Sequence, residues 1–176
     1  MTRRPTFGIA AVILLAAGQV SGQPLPDSAR EAISRQILAV QDEVFRGFNS
    51  HDVTRIVSHI EKSSDLRYVE HTQVTVGWET LRKGLETWHR ENRDLTARPS
   101  ASHVNVLSEQ VAVLTTAGTI LKSGVEAQRF TWTAVFRLMD DGWKIVSAHE
   151  AFSDIVAPAT GGAAAGTGEV RTGVDR

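Results

Sequence analysis

The chain has 176 residues, enough for one domain around a single hydrophobic core. Its charged fraction of 22% and hydrophobic fraction of 41% are typical of a soluble globular protein. A formal net charge of -1, without a polybasic run, argues against nucleic acid or a membrane surface as a partner, and the absence of cysteine excludes disulfides.

The first residues follow the pattern of a secretory signal peptide. Arg3 and Arg4 form a basic head, residues 7–17 (FGIAAVILLAA) form an apolar run too short to span a bilayer, and QVSG follows. We therefore expect cleavage near Gly22, which removes residues 1–22 and exports the remainder to the periplasm or the extracellular space. An uncleaved membrane anchor and, from the paired arginines, twin-arginine export are the alternative interpretations.

The next segment predicts two helices in succession. Ser28 and Glu31 have the spacing of a capping box at the start of the first helix. The polar stretch NSHD ends this helix, and Asp52 can cap a second one. Apolar residues at helical spacing mark the buried sides of the two helices, at Ile33, Ile37, Val40, Val44 and Phe48 in the first and at Val53, Ile56, Val57 and Ile60 in the second.

The middle of the chain predicts a short β-segment followed by a third helix. The stretch DLRYVEHTQVTVG has the composition of one or two short strands. The stretch GWETLRKGLETWHREN has helical periodicity, with Trp78, Leu81, Leu85 and Trp88 on one side.

After Asp94 the apolar period changes to two, and four strands are predicted. Turn signals at Glu109-Gln110, Ser123-Gly124 and Asp141-Gly142 separate them. If each turn is a two-residue hairpin loop, the register is set, and facing residues share one side of the sheet. The apolar side then collects Val104, Val106, Val111, Val113, Thr115, Phe130, Trp132, Phe136, Leu138, Trp143, Ile145 and His149, and the polar side His103, Asn105, Thr116, Arg129, Thr131, Thr133, Arg137, Lys144 and Glu150.

This order of elements predicts an α+β domain over residues 27–155. Three N-terminal helices pack on one face of a curved, mainly antiparallel sheet. The apolar side of the sheet is expected to face the helices, so that His149 points inward and Glu150 points away. Residues 157–176 are rich in Gly, Ala and Thr without an apolar period and are expected to form a flexible tail.

Two stretches, VTVGWETLRKG and RFTWTAVFRLMDDGWKIVSAHEAFS, resemble the SnoaL-like branch of the nuclear-transport-factor-2-like superfamily. In the final strand Trp143, Lys144, Ile145 and His149 match the family's usual ending, whereas Ala151 stands where Ser is usual. The resemblance implies a cone-shaped fold in which a bent sheet wraps a long helix and leaves a pocket at its open end. It does not fix an activity, because members include isomerases, cyclases, dehydratases, epoxide hydrolases and assembly domains.

Within such a pocket His149 is a candidate catalytic residue, since an imidazole can act as general acid, general base or hydrogen-bond anchor. Tyr68 and Glu70 share one face of the stretch RYVEH and are candidates for proton abstraction next to a carbonyl. The candidate ligand-binding residues are Trp132, Phe130, Thr115, Trp78 and Trp88. Packing offers an alternative explanation for all of these: a histidine satisfied within the core, aromatic residues that fill the interior, and Tyr68 with Glu70 facing water.

No metal or cofactor is expected, because the six histidines are scattered and neither an HExxH motif nor a Gly-rich phosphate loop is present. We therefore hypothesise an exported SnoaL-like domain that binds a small organic molecule in an apolar pocket under the sheet. The alternatives are an isomerase, hydratase or dehydratase that uses His149 for proton transfer, and a homodimeric assembly module without activity. The expected partners are a small-molecule ligand and a second copy of the chain, with neither nucleic acid nor, after cleavage, a membrane.

Overall fold

The structure, a computed structural model, describes residues 24–155. Its helices are α1 (Asp27–Ser50), α2 (Val53–Ser58) and α3 (Trp78–Glu91), and its strands are β1 (Arg67–Glu70), β2 (Gln73–Val76), β3 (Leu95–Val106), β4 (Val111–Lys122), β5 (Val125–Met139) and β6 (Gly142–Asp154). The predicted α+β class is thereby confirmed. The predictions made for residues 1–22 and 157–176 lie outside the described residues. Within residues 24–155, no helix combines the length and the apolar character needed to cross a bilayer.

Helix α1 supplies one wall of the hydrophobic core. The predicted apolar stripe is confirmed, because Ile37 is fully buried and its neighbours in the stripe pack against the same core. Phe45, which the stripe did not include, contacts the sheet: its ring lies 5.8 Å from that of Phe130 and edge-on, also at 5.8 Å, to that of Trp132. These aromatic contacts hold α1 across the inner face of the sheet.

The helix ends agree only in part with the sequence analysis. The predicted capping box is wrong, because α1 begins at Asp27 and Ser28 lies inside its first turn without capping it. The predicted cap of α2 is confirmed, since the Asp52 carboxylate accepts a hydrogen bond of 3.0 Å from the backbone N–H of Arg55.

The sheet has six strands in the order β2-β1-β6-β5-β4-β3. Every neighbouring pair is antiparallel except β1 and β6, which run parallel. Three strands each contain one extra residue that has no partner on the facing strand: Ser100 in β3, Ala127 in β5 and Val146 in β6. Such bulges bend a strand and reverse the alternation of its side chains beyond them.

The bulge in β6 overturns the predicted orientation of its second half. Trp143 and Ile145, which precede the bulge, are buried as predicted. Beyond Val146 the alternation is reversed, so Glu150 faces the helices and His149 is exposed on the outer face. The prediction that His149 points inward and Glu150 outward is therefore wrong.

The bulge in β5 overturns the predicted orientation of side chains in β4. The Ser123-Gly124 turn is a two-residue hairpin loop as predicted, but the extra residue Ala127 shifts β5 by one position relative to β4. Thr115 was predicted inside and is exposed, whereas Thr116 was predicted outside and is fully buried.

On the outer face of the sheet, four residues that are paired from strand to strand form a row from the edge strand β3 to β6. They are His103, Thr115, Thr133 and His149. Their side chains are small or flat and lie on the face opposite the helices. Formation of a homodimer through this face stays a prediction.

A histidine pair joins the end of α1 to α3. The Nδ1 atoms of His51 and His89 are 3.1 Å apart, and Nε2 of His51 lies 3.1 Å from the carbonyl oxygen of Arg93. A carbonyl can only accept, so His51 donates from Nε2 to Arg93, while its Nδ1 shares a proton with Nδ1 of His89. Burial, followed by the neighbouring His51, lowers the pKa of His89 to about 4, so this imidazole is neutral at neutral pH.

Gly118 of β4 offers a test of the packing between the central strands. A Cβ atom at this position would lie 2.5 Å from ring atoms of Phe130 and 2.5 Å from the carbonyl oxygen of Arg98. We therefore expect Gly118→Ala to lower the free energy of unfolding by about 1–3 kcal/mol, measured by urea denaturation. The control is Gly84→Ala in α3, where nothing lies within 4 Å; it should raise stability by about 0.5–1 kcal/mol. Equal effects of the two changes would show that the close contact at Gly118 is not present.

Candidate functional site

A cavity of about 470 Å³ lies between the helices and the inner face of the sheet. It is large enough for a small organic molecule. Its lining comes from all three helices and from every strand. The lining residues are Val44, Phe45, Phe48, Ile56, Ile60, Tyr68, Glu70, His71, Thr75, Thr80, Leu81, Gly84, Leu85, Trp88, Asn92, Leu95, Ala97, Ile120, Gln128, Phe130, Trp132, Ile145, Glu150 and Phe152.

Aromatic side chains form much of the apolar wall. Phe45 of α1 contacts both Phe130 and Trp132 of β5 at ring-centroid distances of 5.8 Å. Phe48 and Trp88 approach to 5.3 Å, which joins the walls supplied by α1 and α3. The flat surfaces of these rings suit an apolar, flat ligand body.

The polar part of the cavity is assembled by the parallel pairing of β1 and β6. Tyr68 faces Ala148 and Glu70 faces Glu150 in this register, so the side chains of Tyr68, Glu70 and Glu150 share the inner side of the sheet. On its other side Glu150 pairs with Trp132 of β5. Two carboxyl groups and one phenol are thus collected on one side of a cavity whose lining is mainly apolar.

Glu150 and Tyr68 both have strongly altered acidity. Burial raises the pKa of the Glu150 carboxyl from 4.5 to about 7, the Tyr68 hydroxyl opposes this rise as a hydrogen-bond donor, and the charge of Glu70 adds to it. The pKa of Tyr68 is raised well above 10, first by burial and then by the Glu150 charge, so the phenol keeps its proton. At neutral pH the site therefore holds a carboxyl group poised between its two protonation states and a neutral hydroxyl donor.

The structure brings together five of the eight site residues predicted from the sequence. Tyr68, Glu70, Trp88, Phe130 and Trp132 all line the cavity. Tyr68 and Glu70 of the stretch RYVEH thus lie on the cavity side of β1, where Tyr68 is partly buried and Glu70 remains exposed.

Three predicted site residues lie elsewhere. His149 and Thr115 are exposed on the outer face of the sheet, because the bulges in β6 and β5 reverse the alternation. Trp78 does not line the cavity: its indole N–H donates to the carbonyl oxygen of Val57 at 3.4 Å, and Lys62 lies 5.1 Å from the centre of its ring. The placement of His149, Thr115 and Trp78 in the pocket is corrected accordingly.

Sequence reasoning missed Glu150, Phe45 and His71 as cavity residues. Glu150 directly follows His149, so the bulge alone decides which of the two side chains faces the cavity. Phe45 is adjacent to the predicted stripe of α1 and was left out because the stripe already had one residue per turn. His71 has a left-handed backbone (φ 52°) in the turn between β1 and β2, which takes it out of the strand alternation.

The part of the chain that the structure describes contains no group of three or more His, Cys, Asp or Glu side chains placed to hold a metal ion.

A family model described as a SnoaL-like domain matches residues 37–155. This range includes β1, β6 and residues 37–50 of α1, and with β1 and β6 the residues that form the polar part of the cavity. No curated protein matches the chain significantly.

Solved structures of similar fold come from distant relatives. A candidate dehydratase of the NTF2-like family from Streptomyces avermitilis has a TM-score of 0.63 at 19% identity, over 73% of this chain and 99% of that chain. An NTF2-like protein with a cystatin-like fold from Novosphingobium aromaticivorans has a TM-score of 0.61 at 17% identity, over 74% and 90% of the two chains. The yeast UBP3-associated protein BRE5 has a TM-score of 0.62 at 12% identity, over 70% and 98%. At such identities the likeness establishes the fold, a cone of helices on a curved sheet.

The raised pKa of Glu150 predicts how its replacement changes stability with pH. The unfolded chain loses this proton near 4.5, while the folded protein keeps it until about 7, so the wild type loses stability as the pH rises between these values. Glu150→Gln removes the titrating group, and we expect the variant to be about 1–3 kcal/mol more stable than the wild type at about pH 8. At about pH 4 the two proteins should be equally stable in urea denaturation. If the stability difference between Glu150→Gln and the wild type does not grow with pH, the burial of the Glu150 charge is contradicted.

Proposed function

Because the chain belongs to the SnoaL-like domain family, we propose that it binds a small organic molecule in the cavity and moves a proton on it with Glu150, in a reaction of the isomerase or dehydratase type. The observation that carries this proposal is the Glu150 carboxyl group, which lies inside an apolar cavity, beside Tyr68, with a pKa of about 7. A general base is most effective when its pKa lies near the working pH. The similarity to a candidate dehydratase from Streptomyces avermitilis agrees with this class of chemistry.

Each polar group has a distinct part in the proposed reaction. The ionised Glu150 carboxylate removes a proton from a carbon next to a carbonyl of the bound molecule. The electron pair moves to the carbonyl oxygen, which accepts a hydrogen bond from the neutral Tyr68 hydroxyl. Return of the proton to a different carbon gives an isomer, and its delivery to a departing hydroxyl group gives water and an alkene.

The apolar walls contribute by excluding water. Trp132 and Phe130 are each only 5% exposed, and Trp132 is paired directly with Glu150 across the two strands. Exclusion of water raises the basicity of the carboxylate and keeps the intermediate from exchanging protons with solvent. Ligand binding without chemical conversion would use the same cavity, so the rate of proton abstraction decides between a binding protein and an enzyme.

The proposal can be tested without the natural substrate. Nitrobenzisoxazole opens its ring when a base removes one carbon-bound proton; the N–O bond breaks, a nitrile forms and a coloured phenolate is released. We expect the full chain to accelerate this reaction, with a rate that rises as the pH passes through about 7. Glu150→Gln should lower the rate by about a hundredfold or more.

His149→Ala is the matched control, because His149 is the adjacent residue on the opposite face of the same strand. It should leave the rate unchanged. Tyr68→Phe should slow the reaction of a ketone probe that needs a donor to its oxygen. The proposal is refuted if His149→Ala loses activity while Glu150→Gln keeps full activity. That result would support the register deduced from the turns alone.

A further inference from the structure

The cavity has an unbalanced set of charges. Among its lining residues are the carboxyl groups of Glu70 and Glu150, while neither Lys nor Arg occurs among the described residues that line it. The described ion pairs lie elsewhere, and none of them includes Glu70 or Glu150. The cavity thus carries a buried carboxyl group at Glu150 and an exposed one at Glu70, without a counter-charge among its described lining residues.

This arrangement discriminates between ligands of different charge. An anion would meet the Glu70 carboxylate and, in a poorly hydrated part of the cavity where like charges repel strongly, the Glu150 carboxylate. A neutral ligand would displace water from Glu150 and leave its negative charge without a partner. A cation would supply the counter-charge that the lining lacks, and a buried carboxylate is stabilised most by a partner within direct contact.

The walls fit the remainder of such a ligand. The rings of Trp88, Phe48, Phe130 and Trp132 line the same cavity, and Tyr68 lies beside the two carboxyl groups. Faces of Trp, Tyr and Phe attract an organic cation through their ring quadrupoles, in addition to burying its apolar body. Aromatic walls next to an unpaired carboxylate therefore favour an ammonium group attached to a hydrophobic body.

We propose that the ligand of this cavity is a hydrophobic monocation, an organic ammonium compound whose positive end lies between Glu70 and Glu150 and whose apolar body lies against Trp88 and Phe130. The inference rests on the proposed function in that it assigns a ligand class to the same cavity. It also goes further, because a bound cation favours the ionised form of Glu150, which is the form that accepts a proton.

The titratable groups around Glu150 determine how binding depends on pH. Tyr68, Glu70 and His71 of the β1 segment line the cavity beside it, whereas β5 presents Gln128, Phe130 and Trp132, and α1 and α3 present uncharged side chains. The Tyr68 phenol stays neutral because its pKa is raised well above 10. Binding of a permanent cation should therefore release a proton from Glu150 and strengthen as the pH rises.

Three probes of nearly equal shape isolate the effect of charge. Benzyltrimethylammonium carries a permanent positive charge, neopentylbenzene is its neutral carbon isostere, and phenylmethanesulfonate carries a permanent negative charge. Dissociation constants for the full chain can be measured from the indole signals of Trp88 and Trp132 in nitrogen-labelled protein. We expect the cation to bind at least about tenfold more tightly than the neutral isostere at about pH 8, and the anion not to bind.

Two double variants separate a local effect from overall charge. Glu70→Gln with Glu150→Gln should reduce the preference for the cation to about one, while Glu31→Gln with Glu109→Gln removes the same charge from exposed positions and should leave the preference unchanged. In the wild type, affinity for the cation should rise about tenfold between about pH 5.5 and 8, which tests the idea without any substitution.

The outcomes distinguish the two proposals. Equal or tighter binding of neopentylbenzene, or a cation preference that survives the loss of both cavity carboxylates, overturns the cation proposal. If no probe binds while ring opening of nitrobenzisoxazole still depends on Glu150, the cation proposal falls and the proposed function stands. If the cation binds with the expected preference and no proton abstraction occurs, the proposed reaction falls and the cavity is a binding site for organic cations.

Discussion

The bulge at Val146 determines which side chains enter the cavity. Strand β6 is hydrogen-bonded on both sides, to β5 and to β1, so a shift of one residue is transmitted to two neighbours at once. Beyond the bulge, Glu150 is held opposite Trp132 on one side and Glu70 on the other. Bulges frequently redirect side chains next to functional sites. Here the bulge turns the carboxyl group of Glu150, rather than the imidazole of His149, into the cavity.

The buried carboxyl group couples the packing of the helices to the chemistry of the site. Its pKa is raised chiefly because the surrounding side chains exclude water, and those side chains come from helices as well as strands. Helix α1 is held against β5 by Phe45, and α3 is joined to the end of α1 by the His51–His89 pair. Loosening either helix would admit water, and the pKa of Glu150 would return towards its ordinary value. The ionised Glu150 therefore costs the folded protein stability, as is expected of a group that serves the proposed proton transfer.

Sequence patterns predicted the elements of this fold well, because helices, turns and strand alternation are encoded by neighbouring residues. The stripe of α1 and the Ser123-Gly124 turn depend only on local spacing, and both agree with the structure. The bulges at Ala127 and Val146 could not be found in this way, since neither carries the Gly or Pro that often marks an irregular strand. They are visible only in the pairing of β5 with β4 and of β6 with β5, which local spacing does not encode.

The inward direction of Tyr68 and Glu70 was undecided from the sequence for a related reason. Alternation places the two side chains on one face of β1 but does not say which face, and the strand is too short for its apolar content to decide. The answer comes from the parallel pairing with β6, which places Glu70 directly beside Glu150. Parallel partners are joined by long connections, here most of the domain, so local sequence carries no sign of them.

The shared fold cannot choose between catalysis, binding and assembly. At 19% and 12% identity, the same architecture occurs in a candidate dehydratase and in a UBP3-associated protein. The cavity of this chain combines two carboxyl groups, a phenol and aromatic walls, and neither Lys nor Arg occurs among its described lining residues. Basicity at Glu150 and preference for a cation have one physical origin, the removal of water from an unpaired carboxylate. Any change that hydrates this carboxylate should weaken both properties together, whereas a change on the outer face of the sheet should affect neither.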